Sequence, residues 1–288
     1  MQYDISNGFL SASIKQLGAE LCSLKRNGVD TEYIWQADET YWGRHAPVLF
    51  PIVGKLLDDE YIYNGKTYKM GQHGFARDNN FEVLEHKKNY MCFKLEYNEK
   101  TLEKYPFKFR LYITYTLLEN TLKVSYKVVN KSDVTMPFSI GAHPAFNWPI
   151  ENERRNEYYF KFKDANSLDR LPLTKDGISP KKETVSLCDG ILPLNKKLFK
   201  NDALVIENLE KKSITLENEI NDKFIRMAFK GFEYLGLWSK PTGAPFVCIE
   251  PWHGIADLVG HNKKIEDKKG IKFLEPEEVF ESSYIIEV

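Results

Sequence analysis

Apolar and polar residues alternate with period two through most of this 288-residue chain, the pattern of strands with one face buried and the other wet. Alternation opens in FLSASIKQLG (9–18) and continues in AELCSLKRNG (19–28), which ends on Asn27-Gly28, a pair suited to a tight hairpin turn. EYIYNGKTYKM (60–70) reads as a second hairpin with Asn64-Gly65 at its tip. In FRLYITYTLLENTLKVSYKVVN (109–130) two alternating runs meet at Glu119-Asn120, and a slip of one residue would turn the whole apolar set outward. Similar runs follow at 158–164, 203–209, 223–231, 234–239 and 246–252. Helical spacing is confined to two short places: SPKKETVSLCDGILPL (179–194) offers a turn or two, and EPWHGIADLVGHN (250–262) a short helical piece after a strand.

Strands at such short spacing predict an all-β protein, a large antiparallel sandwich or barrel with very little helix. No internal repeat, low-complexity tract or Pro/Gly-rich linker divides the chain. The charged stretch 150–183 is broken by strand-like pieces and reads as an elaboration of the same unit. Residues 1–288 are therefore expected to form one domain, a size that all-β domains commonly reach.

Composition then removes whole classes of function. Forty Lys and Arg balance 41 Asp and Glu, for a net charge of −1, so no large electrostatic footprint for nucleic acid or an anionic membrane is expected. No apolar run approaches the ~18–20 residues of a membrane span, and the start MQYDISNGFL lacks the basic-then-apolar pattern of a secretion signal. Cys22, Cys92, Cys188 and Cys248 are scattered without zinc-like spacing. They are expected to be reduced and mostly buried, in a cytoplasmic protein. Aromatics reach 14%, which suits both strands and clefts that stack on sugars.

The histidines divide by context. His86 (EVLEHKKNY) reads as solvated in a polar turn, and His261 (LVGHNKK) likewise. His253 and Asp257, spaced i,i+4, would share a face if PWHGIAD were helical, but no third metal ligand accompanies them. His45, in WGRHAPVLFP, either lines a cleft or caps a strand. His73 in GQHGFAR and His143 in SIGAHPAFN each sit where the backbone leaves a strand, and each is followed by an aromatic, Phe75 and Phe146. Glu250 lies inside the apolar run APFVCIEPW, where a carboxylate is costly unless paired or hydrogen-bonded. Burial there raises a carboxyl pKa toward neutrality, which suits proton transfer. A structural ion pair with Arg226 or Lys55 is the competing account of Glu250. Two imidazoles and a carboxylate, without GxGxxG, P-loop, GxSxG or HExxH, suggest acid/base work on a neutral polar ligand such as a sugar.

Taken together, YNGKTYKMGQHGFARD, IGAHPAFNWP and FVCIEPWHGIAD resemble, in order, three segments of the aldose 1-epimerase (mutarotase) family, and more narrowly a LacX-like branch of it. LGAELCSL and FPIVGKL extend the resemblance over nearly the whole chain. What it implies is a galactose mutarotase-like β-supersandwich with an open cleft. The reaction implied is interconversion of the α and β anomers of an aldose, with no cofactor and no metal. Carried over residue by residue, Glu250 would be the base at the anomeric hydroxyl, and His143 the acid at the ring oxygen. His73 would bind and orient the sugar near that oxygen.

Two positions depart from the family pattern. Lys55 stands where galactose mutarotases have an arginine, which keeps the charge but loses the forked donor set. YLGLWSKP offers Trp238 and Ser239 where a sugar-binding aspartate would be sought. HGFAR also resembles a hexose-6-phosphate mutarotase-like branch, in which Arg77, helped by Lys55 or Arg44, would hold a phosphate; a salt bridge to Asp78 or to a nearby Glu is the structural alternative. The expected partner is thus a small sugar or sugar phosphate, with the chain a monomer or homodimer. Two other functions fit the same residues: a non-catalytic carbohydrate-binding or sensing protein, and a glycoside hydrolase or lyase. The last would need a second carboxylate, Glu233 or Asp257, near Glu250.

Overall fold

The alternating run at 109–130 folds as the longest hairpin, Phe109–Leu118 with Thr121–Asn130, paired in unbroken register from Thr121↔Leu118 to Asn130↔Phe109. Its apolar set is buried at every second position and Glu119 takes a positive φ of 49° at the tip. A computed structural model describes residues 1–151 and 153–288. The second hairpin, Glu60–Tyr63 with Lys66–Lys69, turns through Asn64 and Gly65, both at positive φ as a two-residue turn of type I′ requires.

Two nine-stranded antiparallel sheets dominate. One contains the 109–130 hairpin and Val279–Glu287; the other centres on Tyr234–Trp238 and Phe246–His253. Their inner faces share one apolar core, with Leu111, Val124 and Ile286 on one side and Leu235, Leu237, Val247 and Ile249 on the other. This is the sandwich the pattern predicts. A three-stranded sheet, Gln2–Ser6, Leu10–Lys15 and Glu20–Arg26, packs into the same core through Leu10, Ile14, Leu21 and Leu24.

Several expectations are corrected. The turn between the second and third strands falls at 16–19, and the chain beyond Asn27-Gly28 returns only as a bridge between Lys25 and Glu32. Residues 179–194 form strands, Glu183–Ser186 and Ile191–Pro193, and 250–262 hold the end of a strand followed by irregular chain. Neither contains a helix. Among the described residues the α-helix is limited to Glu99–Lys104, begun by Asn98, whose side chain accepts from Thr101 N–H. Cys22 and Cys248 are buried as expected, but Cys92 is half-buried and Cys188 exposed, and all four are free thiols. No helix is long and apolar enough to cross a membrane among the described residues.

Candidate functional site

Phe246–His253 is buried at every position, which is why its sequence reads as a continuous apolar run rather than an alternating one. Odd positions Val247 and Ile249 face the shared core. Even positions face outward beneath two smaller apolar clusters. Phe246 and Cys248 lie with Trp35 and Ala145, flanked by Trp42 and Trp238, whereas Trp252 lies with Leu49, Val53, Val205 and Ile255. Glu250 falls between these two clusters on the outer face, 1% exposed.

Register explains why His143 meets it. Gly141 pairs with Trp252 and Ala145 with Cys248, so counting inward from both pairs sets His143 directly across from Glu250. On the other flank Glu250 pairs with Gly236, which has no side chain to crowd it. The ring of Trp252 occupies the space that a Cβ would need at Gly236, 2.4 Å away, and at Gly141, 2.6 Å away. Gly236→Ala is therefore expected to displace Trp252 and lower stability by about 1–3 kcal/mol, the usual cost of overpacking. Urea unfolding of the variant measures this.

His143 Nε2 and Glu250 Oε2 approach to 3.1 Å, without the alignment of a hydrogen bond, so Oε2 stays unpartnered although buried; the imidazole Nδ1, on the other side of the ring, is also buried without a partner. Trp42 stacks on the imidazole, with centroids 4.9 Å apart and planes at 29°. Trp238 and His73 meet it edge-on at 5.8 and 5.5 Å. Burial pushes the Glu250 carboxyl well above the usual range, reinforced by the charge of Asp202. Burial likewise pushes His143 down to about 3. The resting pair thus keeps its one shared, titratable proton on the carboxyl, beside a neutral imidazole.

The dyad opens into a cavity of about 450 Å³. All seven residues expected at the site line it: Glu250, His143, His73, Lys55, Arg77, Arg44 and Trp238. His73 sits in a turn at positive φ, 67°. Its Nδ1 accepts from Gly54 N–H at 3.1 Å and its own N–H donates to Gly54 O at 2.9 Å, leaving Nε2 for the cavity. Burial and the neighbouring His143 hold its pKa well below 6.5. Lys55 is 63% exposed and reaches Asp59 at 3.9 Å, while Arg226 binds Glu287 at 2.8 Å. Neither neutralises Glu250, so the ion-pair account of that residue falls. Arg44 takes Asp78 at 2.6 Å; Arg77 stands 4.0 Å from the same carboxylate, donates to Gln72 O, and keeps a buried Nε without a partner.

Other candidates lie elsewhere. His45 is buried beside the cleft wall, its Nδ1 2.7 Å from Trp35 O and its Nε2 2.6 Å from Lys15 Nζ, and it does not line the cavity. His86 is on a strand, and His261 is half-buried with its Nδ1 3.6 Å from Asp257. His253 faces the inner side, where it joins the sheets by binding Glu233 at 2.8 Å and Ser282 at 2.9 Å. Asp257 binds Lys268 instead, so His253 and Asp257 share no face. Neither Glu233 nor Asp257 lines the cavity with Glu250. The carboxylate that does is Asp202, held at a positive φ of 72°, and nothing in KNDALVIENL marked it. Trp42, Gln72 and Trp252 also line the cavity without having been singled out. Donor atoms of His143, Cys248 and Glu250 lie within 4.8 Å of one another. They suit a metal poorly, because burial raises both the thiol and the carboxyl pKa and so holds their protons on.

The fold that carries this buried His143–Glu250 pair, a two-sheet sandwich with an aromatic-walled cleft, is one found in known proteins. The family model for aldose 1-epimerase matches residues 1–265, and the chain belongs to that family. It is similar to the plasmid-borne LacX protein of Lactococcus lactis subsp. lactis, 33% identical over 300 residues that cover 100% of this chain and 99% of that protein. Among solved structures, a galactose mutarotase related enzyme from Lactobacillus acidophilus is 39% identical with a TM-score of 0.96, covering 100% of this chain and 97% of the other. A galactose mutarotase-like protein from Lactobacillus casei ATCC 334 is 32% identical with a TM-score of 0.91, covering 100% and 99%.

Proposed function

We propose that residues 1–288 act as one catalytic domain, a cofactor-independent mutarotase that opens and recloses the ring of an aldose. The observation that carries this is the 3.1 Å approach of His143 Nε2 to Glu250 Oε2 in a buried cleft, with no Lys or Arg paired to the carboxyl among the described residues. Ring opening removes the proton from the anomeric hydroxyl, delivers one to the ring oxygen and breaks the bond between that oxygen and C1. Glu250 takes the first proton and His143 supplies the second. Rotation about C1–C2 and reclosure with the transfers reversed yield the other anomer, so no proton is gained or lost over the cycle. The resting arrangement, protonated Glu250 beside neutral His143, is the one that faces the open-chain aldehyde. A single proton transfer across the 3.1 Å gap gives the arrangement that faces the closed ring. His73 donates from Nε2 to a sugar oxygen, and Trp42 and Trp238 offer ring faces and edges to the apolar side of the sugar.

The pH dependence follows from the shared proton. Below about pH 3 His143 becomes imidazolium beside a protonated Glu250 and no base remains; above the raised pKa of Glu250 the pair loses the proton it shares, leaving carboxylate beside neutral imidazole, and no acid remains. kcat/KM is therefore expected to stay level through pH 4.5 and 6.5, the ordinary values of the two groups. Asp202→Asn removes a negative charge that raises the Glu250 pKa, so the alkaline limb of the profile should move to lower pH. A profile of kcat/KM with titratable limbs near 4.5 and 6.5 contradicts this pairing.

A phosphorylated aldose is the second reading, favoured by one observation: Arg44 and Arg77 line the cleft together, and the Arg77 Nε is buried without a partner. Equilibration of freshly dissolved α-glucose, α-galactose and their 6-phosphates, each corrected for spontaneous mutarotation, tests both readings. Acceleration of the free sugars supports the first, acceleration confined to the phosphates supports the second, and acceleration of none rejects both.

A further inference from the structure

Lys268 and Asp257 form a fully buried pair, Nζ to Oδ1 3.0 Å, with side chains 0% and 1% exposed. Such a pair is costly to desolvate, so its surroundings are informative. Lys268 also donates to Ile255 O. The second carboxylate oxygen of Asp257 accepts from Leu57 N–H at 2.9 Å, and the Asp257 N–H donates to Lys55 O at 3.0 Å. Asp257 thus grips both ends of the short segment 55–57. The residue before that segment is Gly54, whose backbone lies so close to Ala256 that a Cβ would come within 2.5 Å of it. Residues 54–57 are in this way fastened along 256–257.

Gly54 is also the partner of His73, giving its N–H to Nδ1 and taking the His73 N–H on its carbonyl. A nitrogen that accepts carries no proton, so this contact selects the neutral tautomer with hydrogen on Nε2. We infer that Lys268 and Asp257 are positioning residues, which act through the Gly54–Leu57 segment to hold His73 as an Nε2–H donor toward the cavity. Resting on the reading of the cleft as a sugar site, the pair then determines how a sugar oxygen is recognised without touching the sugar. The cations whose charge acts on His73 are Arg77, Arg44 and Lys268, and the His143 ring meets it edge-on at 5.5 Å; the three cations carry donors only and offer Nδ1–H nothing to bind.

The tautomer can be read without any sugar, so its outcome does not depend on the sugar reading. Protein carrying ring-15N histidine has six imidazoles, and the His73 signals are those lost in His73→Gln. Leu57→Pro removes only the N–H that binds Asp257 and leaves the ion pair in place. Leu56 is extended at φ −88°, ψ 151°, the conformation a following proline favours. Asp257→Ala removes the carboxylate itself. In the parent protein Nδ1 should be the unprotonated nitrogen and Nε2 the protonated one. In the variants a second population with the proton on Nδ1 should appear, and KM for the accelerated sugar should rise about tenfold while kcat changes less. Should Asp257→Ala fail to fold, Leu57→Pro decides alone. A parent His73 protonated on Nδ1, or a folded Leu57→Pro that keeps the parent tautomer unmixed, overturns the inference.

Discussion

Glu250→Gln is expected to lower catalysed anomer exchange about 10³-fold while leaving sugar affinity within a few-fold of the parent. Glutamine matches the carboxyl in shape and can fill the same space between the Cys248 and Trp252 sides of the strand. It cannot accept the anomeric proton. Because burial already holds Glu250 protonated at rest, the exchange of a neutral acid for a neutral amide removes little electrostatic energy, and thermal stability should hardly change. The comparison of turnover with affinity separates an enzyme from a carbohydrate-binding protein on the same scaffold, since the latter has no turnover to lose. Equal rates for parent and variant, both corrected for the spontaneous reaction, would remove Glu250 from the chemistry.

His143→Gln should be the second large effect, about 10²-fold or more, and its combination with Glu250→Gln should be no worse than the more damaging single change. The reason is the shared proton. Once either partner is gone, the other has nothing to exchange with across the 3.1 Å gap, so the second replacement removes no further catalysis. Additive losses would show two groups acting independently. His143→Gln also takes away the imidazole on which Trp42 stacks, so the variant should bind sugar more weakly than Glu250→Gln does.

Much of the fold can be read from local pattern because its long strands are wet on one face. At 109–130 every second residue is buried, and the alternation is visible in the letters. Where a strand is buried on both faces the pattern vanishes. Phe246–His253 reads as an apolar run, and the i,i+4 spacing of His253 and Asp257 then mimics a helix although the first ends a strand and the second lies in irregular chain. The same double burial makes Glu250 conspicuous, because a carboxylate among Val247, Cys248 and Ile249 demands a reason.

The pairing of His143 with Glu250 is a property of register. Residues 141 and 145 fix it through partners more than a hundred positions away, and no local spacing encodes that. Asp202 and Trp42 were hidden for a related reason. Each lies in a polar or mixed stretch that looks like ordinary surface loop, and only the closing of the cleft over Glu250 brings them to it. Lys268 was concealed by its neighbours in IEDKKG, a charged stretch that reads as solvated until one of its lysines is found buried on Asp257.

If Glu250 and His143 exchange protons with the hemiacetal of a sugar, the protein must speed the passage of one anomer into the other. Magnetisation transfer between the α and β anomeric proton signals, recorded on equilibrated glucose, galactose and their 6-phosphates with and without protein, measures that step directly. For at least one of these sugars, the parent protein should add exchange beyond the uncatalysed control, and Glu250→Gln should abolish the added exchange while still broadening the sugar signals on binding. Added exchange that survives in Glu250→Gln, or broadening by the parent protein with no added exchange for any of the four sugars, would contradict the account.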